Sequence, residues 1–425
     1  MPVRRILSQV RNSLWFVPGL WVVLAGTLAF GTLAVDSAAP ELARSVELLF
    51  GGSPEGARSV LESIAGSMIT VAGVVFSITI VALQLASSQL SPRVLRNFMR
   101  DRRSQSVLGA LIGTFFYSLL VLRAIRTGGD GRDAFVPSLA VTVAIVLAAV
   151  AVAMLVFFIH HIARRIQVST IVDSIATETL EAIGKEWRGD QDETSGAATA
   201  PPGLPGSVPA TTSGYLQLVD TDGLLDTAAE LDLVVRVEAR PGDWVQAGTP
   251  LFAVWPMEAG GQRIHERLNQ QVTLGAERSL EQDAGFGIRQ LVDVAVKALS
   301  PGINDPTSAR DCINRLAQLL IAIGQAPSRS ASLSKDDRLR VILSLRDFGD
   351  LVDLAFDELR HYAGSTPAVA IALADALSTV RSQVDVGLRG PLERQARLLL
   401  ECADEIRPDG DRERVAASVQ RVLQP

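Results

Sequence analysis

The chain has 425 residues, of which 48% are hydrophobic and 20% charged, and its net charge is −6. A mean hydropathy of +0.26 is too high for a soluble protein and too low for one built of membrane helices throughout, so a membrane part joined to a larger polar part is expected. The negative net charge excludes general nucleic-acid affinity. The two cysteines, Cys312 and Cys402, have neither a nearby partner nor metal-ligand spacing, which fits a reducing setting for the C-terminal part.

The N-terminus carries Arg4, Arg5 and Arg11, followed by an apolar run over residues 14–35. Trp15 and Trp21 suit the headgroup boundary near its start, and Pro18 falls in the first turns, where its missing N–H does least harm. The run exceeds a signal-peptide core, so a retained first span is expected. A polar loop leads to residues 64–86, an uncharged stretch long enough to cross a bilayer. The segment after it is basic, with Arg93, Arg96, Arg100, Arg102 and Arg103; residues 107–125 and 136–159 supply two further spans. Loop charges place both termini and the basic loop in the cytoplasm, with Arg123 snorkelling to the outer interface.

The second span is the least uniform. Gly66, Thr70, Gly73, Ser77 and Gln84 recur at steps of four and three or their sum, which puts them on one stripe of a helix. Lipid is expected on the side built from Ile64, Met68, Val71, Val75 and Ile78. A small and polar stripe in hydrocarbon either packs against neighbouring helices or lines a path for a permeant.

Beyond a membrane domain over residues 1–165, the fourth span reads as continuing into a helical stalk at 166–187. Residues 188–212, rich in Pro, Gly, Ser and Ala, read as a linker. Residues 213–256 carry strand patterns, with a turn at Arg240-Pro241-Gly242-Asp243, and the phrase from Arg240 to Leu251 (RPGDWVQAGTPL) resembles the second half of a barrel-sandwich hybrid, the fold of biotinyl and lipoyl carriers and of membrane-fusion adaptors. No lysine lies between Lys185 and Lys297, so a swinging-arm carrier is excluded. Residues 265–425 read as a helical bundle, with Ser334 capping a helix over 335–361, Asp305 and Pro306 starting another, and Asp411 capping the last. The fold class is thus a four-span membrane helical bundle plus a cytosolic α+β region.

Residues 84–93 (QLASSQLSPR) and 286–306 (FGIRQLVDVAVKALSPGINDP) resemble a family of bacterial predicted membrane proteins known as domain of unknown function 2254, and the resemblance covers most of the chain. It implies a multi-pass inner-membrane protein and brings no catalytic residues with it.

Motifs for nucleophilic catalysis and phosphate binding are missing from the sequence. The adjacent His160 and His161 point about 100° apart on a helix and make a poor metal pair, so no metal or cofactor is expected. In the C-terminal region the loop at 300–307 is the best candidate for a ligand or interface site, with Asn304 and Asp305 beside a helix start and Arg289 nearby. Two functions follow as expectations. One is an oligomeric channel or passive transporter for small ions, a homo-oligomer with the 64–86 stripe along its path. The other is a membrane-anchored scaffold whose cytosolic modules bind a partner or small ligand.

Overall fold

A computed structural model describes residues 15–38, 49–89, 102–127, 135–165, 167–186, 200–257, 261–327, 330–363, 366–403, 406 and 409–424. The basic residues Arg4, Arg5, Arg11, Arg93, Arg96 and Arg100, and residues 188–199 of the expected linker, lie outside these. Contacts divide the chain into two compact units, Met1–Gln167 and Val168–Pro425.

In the first unit, α1 (Phe16–Ala38), α2 (Pro54–Gln89), α3 (Arg102–Ala124) and α4 (Ser138–Arg165) are each long and apolar enough to cross a bilayer. The most buried is α3, with half of its apolar window covered against 28% or less for the others. Its small residues explain this. The Trp21 ring of α1 lies over Gly109, where a Cβ would come within 2.5 Å of it, and a Cβ at Gly113 would stand 3.2 Å from the Trp21 carbonyl oxygen. In lipid there is no hydrophobic gain from joining helices, so this close approach is what holds α1 on α3.

The inner face of α2 is the one the sequence assigned to lipid. Met68 and Val75 are buried, and Ile64 and Val71 pack against the same cluster, with Ala72, Leu111 and Phe158; Ile78 alone of that set is exposed. Hydropathy ranks these side chains as lipid-compatible, but it cannot separate lipid from the equally apolar flank of a neighbouring helix.

The expected continuous stalk is interrupted. Helix α4 ends at Arg165, Gln167 is not helical, and α5 (Val168–Glu186) belongs to the second unit.

In that unit a mixed five-stranded sheet has the order β1-β5-β3-β8-β7 and a three-stranded sheet the order β4-β2-β6. The strands are β1 (Gly206–Pro209), β2 (Gly214–Val219), β3 (Val234–Val237), β4 (Trp244–Val245), β5 (Pro250–Trp255), β6 (Val272–Gly275), β7 (Ser332–Lys335) and β8 (Arg338–Ile342). Two short helices intervene, α6 (Thr221–Glu230), whose first turn Asp220 caps by accepting from the Gly223 N–H, and α7 (Gln262–Asn269). Val208, Leu216, Val235, Leu251, Phe252 and Val341 share one core.

Two expectations fail here. The helix expected over 335–361 is instead a β7–β8 hairpin followed by α10 (Phe348–Ala363). Asp336 and Asp337 turn the chain with φ of +53° and +57°, the left-handed pair that a two-residue hairpin needs and that Asp tolerates better than most residues. Strand β8 then pairs in parallel with β3, Val235 opposite Val341, a partner about a hundred residues away that local periodicity does not register. Strands β6, β7 and β8 also lie within the region read as wholly helical.

The remaining helices are α8 (Ala284–Ala298), α9 (Pro306–Gly324), α11 (Pro367–Gln383), α12 (Arg389–Ala403) and α13 (Asp409–Leu423). Asp305 caps α9 with Pro306 in its first turn, as the sequence suggests, whereas Asp411 sits inside α13 and pairs with Arg414.

Candidate functional site

On α2, Gly66, Thr70, Gly73, Ser77 and Gln84 all face outward and are exposed in the single chain. The hydroxyls bond to their own helix, Thr70 Oγ1 donating to the Gly66 carbonyl at 2.8 Å and Ser77 Oγ to the Gly73 carbonyl at 3.0 Å. That bond is the usual way a hydroxyl is satisfied without water. A Cβ built at Gly66 or Gly73 meets nothing within 4 Å. The contrast with Gly109 and Gly113 is direct: one small-residue seam is filled within the chain, and the other is open among the described residues.

The bundle also contains a buried polar knot that the sequence reading missed. Asp36, 5% exposed, reaches the first turn of α4, where its Oδ1 and Oδ2 accept from the N–H groups of Leu139 and Ala140 at 3.1 and 2.9 Å. Tyr117, fully buried on α3, donates to the Ala140 carbonyl at 3.1 Å, and its hydroxyl lies 2.9 Å from Thr32 Oγ1. Helix starts leave unpaired N–H groups, and a carboxylate there gains from the helix dipole as well. An acid at the end of an apolar run was the available signal.

In the second unit the structure separates the residues proposed for the 300–307 loop. Arg289 is held by Asp293 at 2.8 Å and, through both terminal nitrogens, by Glu358 of α10. The Glu358 hydrogen bond, ahead of the two neighbouring carboxylate charges, pushes its guanidinium further above its ordinary range. No hydrogen bond or ion pair joins it to Asn304 or Asp305. Asn304 has φ of +50°. Asp305 accepts from the N–H groups of Thr307 and Ser308, each at 3.1 Å, and from the Ser308 hydroxyl at 2.6 Å. These bonds, Ser308 first, hold its carboxyl below the usual range.

Capping therefore accounts for Asp305, and Asp305→Ala is expected to destabilise the unit by about 1 kcal/mol at neutral pH. A depressed carboxyl contributes stability above its unfolded pKa and loses it as pH falls through the folded value. The difference between variant and wild type should accordingly narrow in acid, as read by thermal unfolding across a pH series.

A second cluster joins the turn before β4 to the start of α8. Arg240 pairs with Asp350 at 2.7 Å, Arg346 with Asp243 at 2.8 Å and Arg278 with Asp283 at 2.7 Å. Gly242, at φ +90°, leaves room for Asp283, with which a Cβ would collide. Burial pushes the Asp283 carboxyl up, against the pull of Arg278, Arg346 and the Phe286 N–H. The cleft between these groups holds about 20 Å³, the scale of one water. The ion pairs around it tie these elements together. Among the described residues no group of three or more His, Cys, Asp and Glu is placed to hold a metal ion. Cys312 is buried, which pushes its thiol up to about 12.

No solved structure matches the chain. Uncharacterised proteins of Mycobacterium bovis and Mycobacterium tuberculosis are 33% identical to it over 435 residues, covering 99% of this chain and 82% of each relative. The family described as "Predicted membrane protein (DUF2254)" matches residues 11–379. With four apolar helices already in place and the match running through most of both units, the chain belongs to the DUF2254 family of membrane proteins.

Proposed function

We propose that the protein works as a homo-oligomer in the bacterial inner membrane, with both termini cytoplasmic, α2 at the subunit contact, and a passive path for small ions along the oligomer axis. The observation that carries this reading is the open seam on α2. Gly66 and Gly73 leave space that nothing among the described residues fills, and small residues in a span serve close helix contact. Gln84, exposed at the end of the span, and the spare lone pairs of Thr70 and Ser77 are the oxygens a permeant would meet. The second unit would then act in assembly or regulation.

Native mass measurement in detergent, with bilayer recording on the same preparation, tests it. Gly73→Leu is expected to shift the oligomer towards monomer, and Ser77→Leu to reduce conductance. A wild-type monomer with silent bilayers defeats the reading.

The internal bonding of the Thr70 and Ser77 hydroxyls favours a second reading, in which α2 needs no water and the bundle is an anchor for a partner-binding second unit. Truncation after Gln167 separates the two: an anchored scaffold loses all function while its bundle still inserts, whereas a conducting bundle keeps its conductance.

A further inference from the structure

We infer that the path along α2 selects cations over anions and that Glu55 and Glu62 set the preference, an inference that rests on the oligomeric path proposed above. Helix α2 has 36 residues, about 54 Å of helix against a hydrocarbon core of about 30 Å. Its uncharged stretch, residues 64–86, is long enough to cross that core by itself. The turns before it, residues 54–63, hold Glu55, Arg58 and Glu62, which therefore stand at the mouth of the span and not in its apolar part. On the opposite side of the same turns Ala57 and Leu61 are fully buried in the bundle, so the acids are carried on the outer face of a seated helix.

Successive side chains on a helix are set about 100° apart. Measured round α2 from Gly66, Glu55 lies at about 20° and Glu62 at about 40°, on the same side. Thr70, Gly73, Ser77 and Gln84 all fall within about 40° of the same line. The two acids thus continue the open face of α2 beyond its apolar stretch, about 10 Å apart along the axis. Both are exposed, and neither has an ion-pair partner among the described residues. Arg58 is exposed as well, about 80° from the Gly66 line; it pairs with neither acid and offsets part of their charge. With α2 at the oligomer axis each acid becomes a ring of carboxylates, one per subunit, and such rings favour cations.

Within the span the direction of the hydrogen bonds points the same way. A hydroxyl has one hydrogen and two lone pairs. Ser63, Thr70 and Ser77 recur at seven-residue steps, and each spends its hydrogen on its own helix. Ser63 donates to the Ser59 carbonyl at 2.8 Å, Thr70 to that of Gly66 at 2.8 Å and Ser77 to that of Gly73 at 3.0 Å. All three are exposed, so lone pairs are what they present outward. A cation shedding water finds oxygens there, whereas an anion needs donors. The donors this face keeps are the Ser59 hydroxyl, level with the acids, and the Gln84 amide at the far end. No lysine or arginine occurs between 59 and 89.

The test uses the full-length protein in planar bilayers under a potassium chloride gradient, where the reversal potential gives the permeability ratio of potassium to chloride. Wild type is expected to favour potassium by about tenfold or more, the low end of what a mouth lined by one sign of charge achieves for its counter-ions. Glu55→Gln and Glu62→Gln should each lower the ratio by about threefold, half of that effect on a logarithmic scale, and Arg58→Gln should raise it. Charge outside the hydrocarbon is screened, so the ratio should fall in 1 M salt, where the Debye length is about 3 Å. A conducting wild type that favours chloride, or whose ratio both glutamine variants leave unchanged, overturns the inference and leaves the path intact. Thiol accessibility gives a second measurement that needs no current. In a Cys402→Ser background, where Cys312 is buried, Thr70→Cys in liposomes should react about tenfold faster with a cationic methanethiosulfonate than with an anionic one, each rate scaled to that of a free thiol. Reaction with neither reagent puts position 70 in lipid or in a dry helix contact and defeats the path and its selectivity together, whereas equal rates overturn the selectivity alone.

Discussion

Asp36→Ala is expected to weaken the helical bundle by about 2–4 kcal/mol, the cost of leaving one buried and one half-buried N–H group at a helix start with no acceptor. The carboxylate is 5% exposed and spans both donors, and no other described group bonds to the N–H of Leu139 or Ala140. Asp36→Asn keeps one acceptor and loses the charge that complements the helix dipole, so a smaller loss is expected. Tyr117→Phe removes the bond to the Ala140 carbonyl and should couple to Asp36→Ala rather than add to it, since both hold the same turn of α4. Unfolding in mixed micelles of increasing denaturing-detergent fraction, on wild type, both single variants and the double, measures this. Equal stability of Asp36→Ala and wild type would show that water or lipid headgroups satisfy the α4 start.

Asp36 also marks where sequence reading stops. The spans were legible because length and apolarity alone decide whether a helix can cross lipid, and the Asp305–Pro306 helix start was legible because a cap is set by neighbours in the chain. The partner of Asp36 lies about a hundred residues on, and nothing local to either segment names the other. The same holds for Val341 opposite Val235, which turned an expected helix into a hairpin strand. The α2 stripe was legible as a pattern, but not the side it faces: Met68 and Val75 point inward, and only the packing of α3 reveals that. For the loop at 300–307 the order reverses. Spacing suggested that Arg289 stood nearby, whereas Glu358, distant in sequence and close in space, holds it.

Gly287 lies within the long motif that signalled the family, and the packing gives it a physical role. A Cβ there falls on the Thr179 side chain, which is fully buried, β-branched and bonded through Oγ1 to the Ile175 carbonyl at 2.6 Å. It cannot swing aside without breaking that bond, so α5 must shift on α8. Overpacking of this kind costs about 1–3 kcal/mol, set against the gain of up to about 1 kcal/mol from replacing Gly in a helix by Ala. A net loss of about 1–2 kcal/mol is therefore expected for Gly287→Ala, and more for Gly287→Val. Thermal unfolding of the full-length protein in detergent, followed by the fluorescence of its tryptophans, reads the change; Trp244 and Trp255 report from the second unit. The decisive comparison is the Thr179→Ala background, where Oγ1 and Cγ2 are gone and Gly287→Ala should cost at least about 1 kcal/mol less. Strict additivity would mean that Gly287 is needed for some reason other than its fit against α5, the helix that begins where the fourth span's helix ends.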